Sequence, residues 1–297
     1  MTLAVVVGRL IAVVALSVAV STAAIVGRDR LAETRREYRR RLGSIAPYAA
    51  VLCLVLVANK IARDVGPDAS ELIGLRITPY LERLDGVLLW PLYPTDTPQL
   101  VVWIQSMATP ELTAYFAAVY VYGYVFLLVF PVVAYFALPR PEPLRRTIVA
   151  YCANYLIGVL CYVLFIAYGP RNLLIEQVDQ LLYSQYAQYQ FVTDAVNDET
   201  NVFPSLHTSM SVTAALLAWT TRREYAAWVP IAAVLAASVC LSTMYLGIHW
   251  GTDVLFGIAL AWISVAIGTR FEETPPTLEG LKRRLVRLGD AIPTSRR

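Results

Sequence analysis

Residues 114–138 read AYFAAVYVYGYVFLLVFPVVAYFAL and contain no charged side chain, so this run is long enough to cross a bilayer as a helix. The 297-residue chain has a mean hydropathy of +0.54, and 16% of its residues are charged. Soluble domains usually carry roughly 25% charged residues. The sequence therefore predicts an all-α, polytopic membrane protein built as a helical bundle.

Seven apolar segments are predicted to span the membrane. The first has no basic segment before it and is long enough to span, so we expect a retained helix and not a signal peptide. The seven segments are residues 2–26, 46–62, 114–138, 146–168, 203–221, 227–247 and 250–269.

Basic residues cluster after every second span, and this pattern predicts the orientation of the chain in the membrane. The segments after the first, third, fifth and seventh spans carry the arginine-rich runs, so the positive-inside rule places these four in the cytoplasm. The long segment 63–113, the acidic segment 169–202 and the turn near 248–250 then lie on the extracytoplasmic or lumenal face. Within the first of these, ELIGLRITPYLERLDGVLLW (71–90) predicts an interfacial helix that either roofs a site or only caps the bundle.

The two histidines of the chain stand in FPSLHTSMS (203–211) and STMYLGIHWGTDV (242–254). The predicted topology places His207 and His249 on the same outer face. Asp253 follows His249 by four residues, which stacks both side chains on one helix face. A carboxylate there can orient the imidazole and raise its basicity, although the pair could also serve only to tie the helix end. Together the three residues suggest phosphoryl-transfer chemistry at a membrane surface.

The segment around His207 predicts an anion site. Pro204 suits the first turn of a helix, which would leave the backbone N–H groups of Ser205, Leu206 and His207 free to bind a phosphate at the positive end of the helix dipole. The Ser205 hydroxyl would be a further donor. Arg171 is the single basic residue of its loop and suits either phosphate binding or interfacial anchoring.

Other side chains are interpreted more simply. Tyrosines such as Tyr120, Tyr122 and Tyr124 are expected to form an interfacial belt. The four cysteines lie in apolar stretches without a CxxC pair, so we expect buried small hydrophobes. No metal site, cofactor or nucleic-acid partner is expected, and the oligomeric state is left open.

PSLH (204–207) and YLGIHWGTDV (245–254) resemble the second and third signature motifs of the type 2 phosphatidic acid phosphatase (PAP2) superfamily. The longer strings FPSLH and STMYL resemble its inositol phosphorylceramide synthase-like branch. The resemblance implies a six-helix PAP2-like core plus one extra N-terminal transmembrane helix. It divides the chain into a helix and basic loop (1–45), a catalytic membrane domain with an outer insert at 63–113 (46–269), and a basic amphipathic tail (270–297).

The resemblance also implies roles for individual residues. His249 would attack phosphorus and form a phosphohistidine, Asp253 would orient it, and His207 would protonate the leaving oxygen. Arg171, Ser205 and Leu206 would hold the phosphate of a lipid phosphate or phospholipid substrate.

Two departures from the family motifs concern cations. Leu164 stands where the first motif has a Lys, and Arg171 follows a proline instead of preceding one. Ser242 and Thr243 lead to Met244 where the third motif commonly has Ser-Arg, a loss that the synthase-like branch shares. The implied function is a lipid phosphatase or head-group phosphotransferase. The alternative from another class is a transporter or lipid-handling protein in which His207, His249 and Asp253 form a proton relay.

Overall fold

A computed structural model of the chain describes residues 2–89, 91, 99–190 and 202–273. Most of these residues are helical. In chain order the helices are α1 (Leu3–Ser21), α2 (Arg28–Ile73), α3 (Thr78–Leu89), α4 (Leu100–Gln105), α5 (Pro110–Ala118), α6 (Tyr124–Phe136), α7 (Glu142–Leu164), α8 (Pro170–Leu173), α9 (Leu181–Gln185), α10 (Leu206–Thr220), α11 (Trp228–Tyr245) and α12 (Gly251–Glu273). One π-helical turn follows α1 (Thr22–Val26), another joins α5 to α6 (Val119–Gly123), and a 3-10 turn covers Ala187–Tyr189. The strands β1 (Leu75–Arg76) and β2 (Phe165–Ile166) pair in parallel.

Six helical segments in the described part of the chain are long and apolar enough to cross a membrane. They are Leu3–Val26, Arg28–Val65, Pro110–Phe136, Glu142–Leu164, Trp228–Tyr245 and Gly251–Phe271. Each overlaps one of the predicted spans, and the predicted all-α polytopic bundle is confirmed.

The remaining predicted span, residues 203–221, contains α10, a helix of 15 residues. At about 1.5 Å per residue it is roughly 22 Å long, which is shorter than the roughly 30 Å of a hydrocarbon core. Most of its residues are buried, and it packs against α6, α7, α11 and α12. It is therefore a central helix of the bundle, and only its last residues, Trp219 and Thr220, are exposed.

The second helix differs from the prediction. The expected basic loop before residue 46 is wrong, because α2 is one continuous helix of 46 residues that includes the arginine-rich stretch. Salt bridges between successive turns stabilise it, such as Arg41 Nη2 to Glu37 Oε2 at 3.1 Å. Lys60 and Asp64 form another pair at this spacing near the other end. The arginines and glutamates of this stretch have high helix propensity. The helix therefore extends through them.

The basic segments meet at one end of the bundle. Arg30 Nη2 lies 2.7 Å from Glu224 Oε2, in the connection between α10 and α11. Arg41 Nη1 donates hydrogen bonds to the carbonyls of Phe136 at 3.2 Å and Leu138 at 2.8 Å, where α6 ends. The start of α2 thus contacts the two connections that the charge pattern assigned to the same side.

Short elements cover the opposite end. The helix predicted within 71–90 is α3, which buries Leu81 and Leu89 and exposes Tyr80 and Val87. The β1–β2 pair holds the segment before α3 against the end of α7. Residues 274–297 of the predicted basic amphipathic tail and residues 191–201 of the acidic segment lie outside the described residues.

Candidate active site

The start of α10 is joined directly to α12. Ser205 is the N-cap of α10, and its hydroxyl accepts a hydrogen bond from the Thr208 N–H at 3.3 Å. The Ser205 N–H donates to the Asp253 carbonyl at 3.2 Å. A methyl group at Gly257 would lie 2.7 Å from the Ser205 carbonyl oxygen. The absence of a side chain at Gly257 therefore allows α10 and α12 to approach each other near Ser205 and Asp253.

The start of α12 is closed by Asp253 itself. One carboxylate oxygen, Oδ2, accepts from the Trp250 N–H at 2.9 Å, so Asp253, at the third helical position, forms one of the two bonds of a capping box. The same oxygen lies 3.5 Å from His249 Nδ1. That separation is long for a hydrogen bond, and such contacts often tighten when substrate binds. Asp253 therefore fixes the helix end and also faces the imidazole.

His207 occupies the other side of the junction. Its ring stacks on Tyr120 at 4.5 Å between centroids and contacts Tyr124 at the same distance with a tilt of 45°. Tyr120 lies in the π-helical turn and Tyr124 follows it directly; such turns are found frequently at functional sites. His207 is partly exposed and lines a cavity of about 260 Å³. A substrate can therefore reach this imidazole from the cavity.

The structure brings the three predicted residues to one end of the bundle. The imidazoles of His207 and His249 lie close enough for their charges to interact. His249 is 4% exposed and Asp253 is fully buried. One site therefore combines a more accessible histidine with an enclosed histidine–carboxylate pair.

A sequence model of the PAP2 superfamily matches residues 96–267 of this chain, which is more than half of it. The chain belongs to the PAP2 superfamily. The matched part contains both histidines and Asp253, whereas α1 and α2 precede it. A search of curated proteins and a search of solved structures gave no match. Superfamily membership and the apolar helices together indicate a membrane protein of phosphatase type.

The anion site predicted around His207 has fewer backbone N–H groups available to a phosphate than expected. Pro204 precedes the N-cap and is not in the first turn of α10. The Ser205 N–H is used by the Asp253 carbonyl, and the Leu206 amide faces the hydroxyl of Tyr162. The prediction that all three amides are free is wrong for Ser205, because the chain enters α10 pressed against α12. The hydroxyl hydrogen of Ser205 can still be donated to a ligand, because Oγ is the acceptor in its bond with the Thr208 N–H.

Arg171 lies next to the turn that carries His249. Its N–H donates to the Gly247 carbonyl at 3.0 Å. Its guanidinium lies over the ring of Tyr183, 4.9 Å from the centroid. The backbone of Arg171 is therefore close to the site, while its guanidinium lies over an aromatic ring of α9.

Several polar atoms at this end are buried without a hydrogen-bond partner among the described residues. They are His249 Nδ1, Thr252 Oγ1, Asp253 Oδ1 and Arg171 Nη1. Each unpaired buried polar group costs free energy. A ligand that binds at this end of the bundle can complete their hydrogen bonds.

Sequence reasoning missed four residues that contribute to the site. Tyr120 and Tyr124 were assigned to an interfacial belt, yet they hold the His207 ring. Arg63 lies near enough to His207 for an electrostatic interaction. Asp85 binds the first turn of α12. The spacing around the π-helical turn is a weak local signal for the tyrosines, whereas the last two residues are distant in sequence and have none.

Asp85 links the outer helix α3 to the start of α12. It is fully buried, and its Oδ1 accepts from the Gly251 N–H at 2.6 Å while its Oδ2 accepts from the Leu100 N–H at 3.1 Å. Burial raises the pKa of Asp85 to about 6, although the backbone hydrogen bonds from Gly251, Leu100 and Thr252 act in the opposite direction. Asp85 is therefore a positioning residue for the turn that leads into α12.

Replacing Asp85 with Asn should destabilise the protein by about 1–3 kcal/mol at pH 7.5, because the new amide nitrogen must face a backbone donor. Since the folded pKa is raised from 3.8 to about 6, the wild type gains stability from this group as the pH falls through 6 toward 4, by an amount on the order of 3 kcal/mol. Asp85→Asn lacks this gain. Unfolding in detergent micelles at pH 7.5 and 4.5 should therefore show a larger difference between the two proteins at the lower pH. A difference that narrows on acidification would contradict the assignment.

Proposed function

We propose that this PAP2 protein is an integral-membrane lipid phosphatase or phosphotransferase that works through a phosphohistidine at His249. The observation that carries the proposal is the junction of α10 and α12, where the Ser205 N–H bonds the Asp253 carbonyl at 3.2 Å. This bond ties the start of α10, which carries His207, to the start of α12, which carries Asp253.

The first half of the reaction would be transfer of phosphorus to His249. Asp253 faces Nδ1 at 3.5 Å, so Nε2 is the nitrogen left to attack. The new bond joins Nε2 to phosphorus, and the bond from phosphorus to the leaving oxygen breaks. A protonated His207 gives its proton to that oxygen, which leaves as an alcohol. The carboxylate of Asp253 balances the positive charge that develops on the His249 ring.

The second half would return the enzyme to its first state. His207, now neutral, takes a proton from water or from an acceptor hydroxyl. The oxygen of that molecule attacks phosphorus, and the phosphorus–nitrogen bond breaks. Water yields a phosphatase, whereas a lipid or polyol hydroxyl yields a transferase.

We favour head-group transfer of the inositol phosphorylceramide synthase-like kind. The supporting observation is that Thr243, in the place where the third motif commonly has Arg, is fully buried and hydrogen-bonds the Cys240 carbonyl at 2.8 Å. Met244 is likewise packed in the core. This chain thus accommodates small or apolar side chains where the common motif carries a cation, as its resemblance to that branch implies.

We also propose that the site faces the extracytoplasmic or lumenal side. The support is that the site lies at the end of the bundle opposite the contacts of Arg30 and Arg41, which the positive-inside rule assigns to the cytoplasm.

Purified protein in phosphatidylcholine nanodiscs, given labelled lipid phosphates and phosphodiesters with and without a hydroxyl acceptor, tests the proposal. Acceptor-dependent product indicates a transferase, and release of phosphate with water alone indicates a phosphatase. Quenching in alkali should retain label on the wild-type protein and not on a His249→Gln variant. If no substrate turns over and no label is retained, the proposal fails and the proton-relay alternative is favoured.

A further inference from the structure

The cavity beside His207 is lined on one side by α2, which precedes the part of the chain matched by the superfamily. Asn59, Lys60 and Arg63 contribute its polar wall. Opposite them lie the tyrosines of α6 and α7 and the first two residues of α10, namely Tyr124, Tyr155, Leu206 and His207. None of the described residues that line it is acidic. The cavity thus combines two permanent cations with an imidazole.

Arg63 is held toward this cavity by aromatic contacts. Its guanidinium lies 5.3 Å from the centroid of the Tyr162 ring, in the last turn of α7. Its charge also acts on His207, Tyr124 and Tyr155. Tyr162 is two residues before Leu164, the position where the first family motif has a Lys. Arg63 therefore brings a positive charge from α2 to the region where that motif would supply one from α7.

In the proposed reaction His207 carries a proton beside Arg63 and Lys60, and an anion bound among these groups lowers the repulsion between their positive charges. Lys60 has a partner in Asp64, on its own helix. Asn59 Oδ1 is buried without a hydrogen-bond partner among the described residues. The arrangement therefore favours binding of a negatively charged group within the cavity.

We propose that Arg63 and Lys60 bind the phosphate of an anionic membrane lipid next to His207 and so replace the cations that the signature motifs lack. This inference rests on the proposed function. The ligand is assigned to a lipid because α2 exposes an apolar surface beside the cavity, including Leu54, Val57 and Ile61. A lipid can then keep its chains along α2 while its phosphate enters between the helices.

The test measures binding of a non-hydrolysable lipid phosphonate to protein in phosphatidylcholine nanodiscs, and of glycerol phosphate to the same samples. Arg63→Gln should weaken phosphonate binding about 10- to 100-fold, the range expected for a lost charge-assisted hydrogen bond. Arg63→Lys should lose less, because it keeps the charge without the planar fork. Asp64→Asn should bind at least as tightly as the wild type, since it leaves Lys60 available to the ligand.

Arg36→Gln is the matched control, because Arg36 is an exposed arginine at the other end of the same helix, and it should bind like the wild type. Wild-type affinity in a folded Arg63→Gln protein would overturn the inference while leaving turnover through His249 intact. Loss of glycerol phosphate binding alone, with lipid binding unchanged, would also overturn it. Active His249→Gln protein would instead refute the proposed function, and the binding assay would still report on Arg63.

Discussion

Replacing His249 with glutamine is expected to reduce turnover by about 10⁴-fold or more, since loss of a covalent nucleophile removes both halves of a double displacement. The side chain is 4% exposed and its Nδ1 makes no hydrogen bond within the described residues. The His249 N–H still donates to the Thr243 carbonyl in the variant, as it does at 3.1 Å in the wild type. The fold should therefore survive the change, and the loss should appear in kcat. Single-turnover measurements with a labelled lipid phosphate check this.

Asp253→Asn is the graded control for His249. An amide oxygen at this position can still accept from the Trp250 N–H, so the capping box of α12 is kept. The negative charge that faces the imidazole is lost. We expect a decrease of about 10²- to 10⁴-fold, smaller than that for His249→Gln. Equal activity of His249→Gln and wild type would remove His249 from the nucleophile's role.

Most of the fold could be predicted from the sequence, because the composition of a short run of residues identifies a membrane span. Uncharged runs such as 114–138 specify a helix wherever they occur, and the observed span Pro110–Phe136 differs from that prediction by a few residues. The start of α2 shows where composition misleads. Its arginines indicate a cytoplasmic location, but they do not indicate a loop, because pairs such as Glu37 and Arg41 stabilise the helix that contains them.

The sequence predicted only those residues of the site that are close to one another in the chain or belong to a motif. His249 and Asp253 are four residues apart, and helical geometry alone puts them on one face. The bond between Asp85 and Gly251 joins residues 166 positions apart, so no local pattern predicts it. Arg63 is similar, since its place beside His207 depends on how α2 packs against α7. The occupied Ser205 amide likewise results from the packing of α10 against α12.

Replacing His207 with glutamine is expected to lower turnover about 10²- to 10⁴-fold for a substrate whose leaving group is an alkyl alcohol, because such an oxygen needs a proton as it leaves. A substrate with a p-nitrophenyl leaving group needs little protonation. With that substrate the same variant should lose less than about 10-fold, since the first chemical step no longer depends on general acid catalysis. The comparison is made as kcat/KM for both substrates with the same protein preparation.

Tyr124→Phe is the matched control, because it keeps the ring that contacts His207 at 4.5 Å between centroids and removes only the hydroxyl. It should affect both substrates equally and weakly. A His207→Gln variant that lost the same factor with both leaving groups would indicate that His207 binds the phosphate and does not transfer a proton. The ratio of the two losses thus distinguishes proton transfer by His207 from phosphate binding by His207.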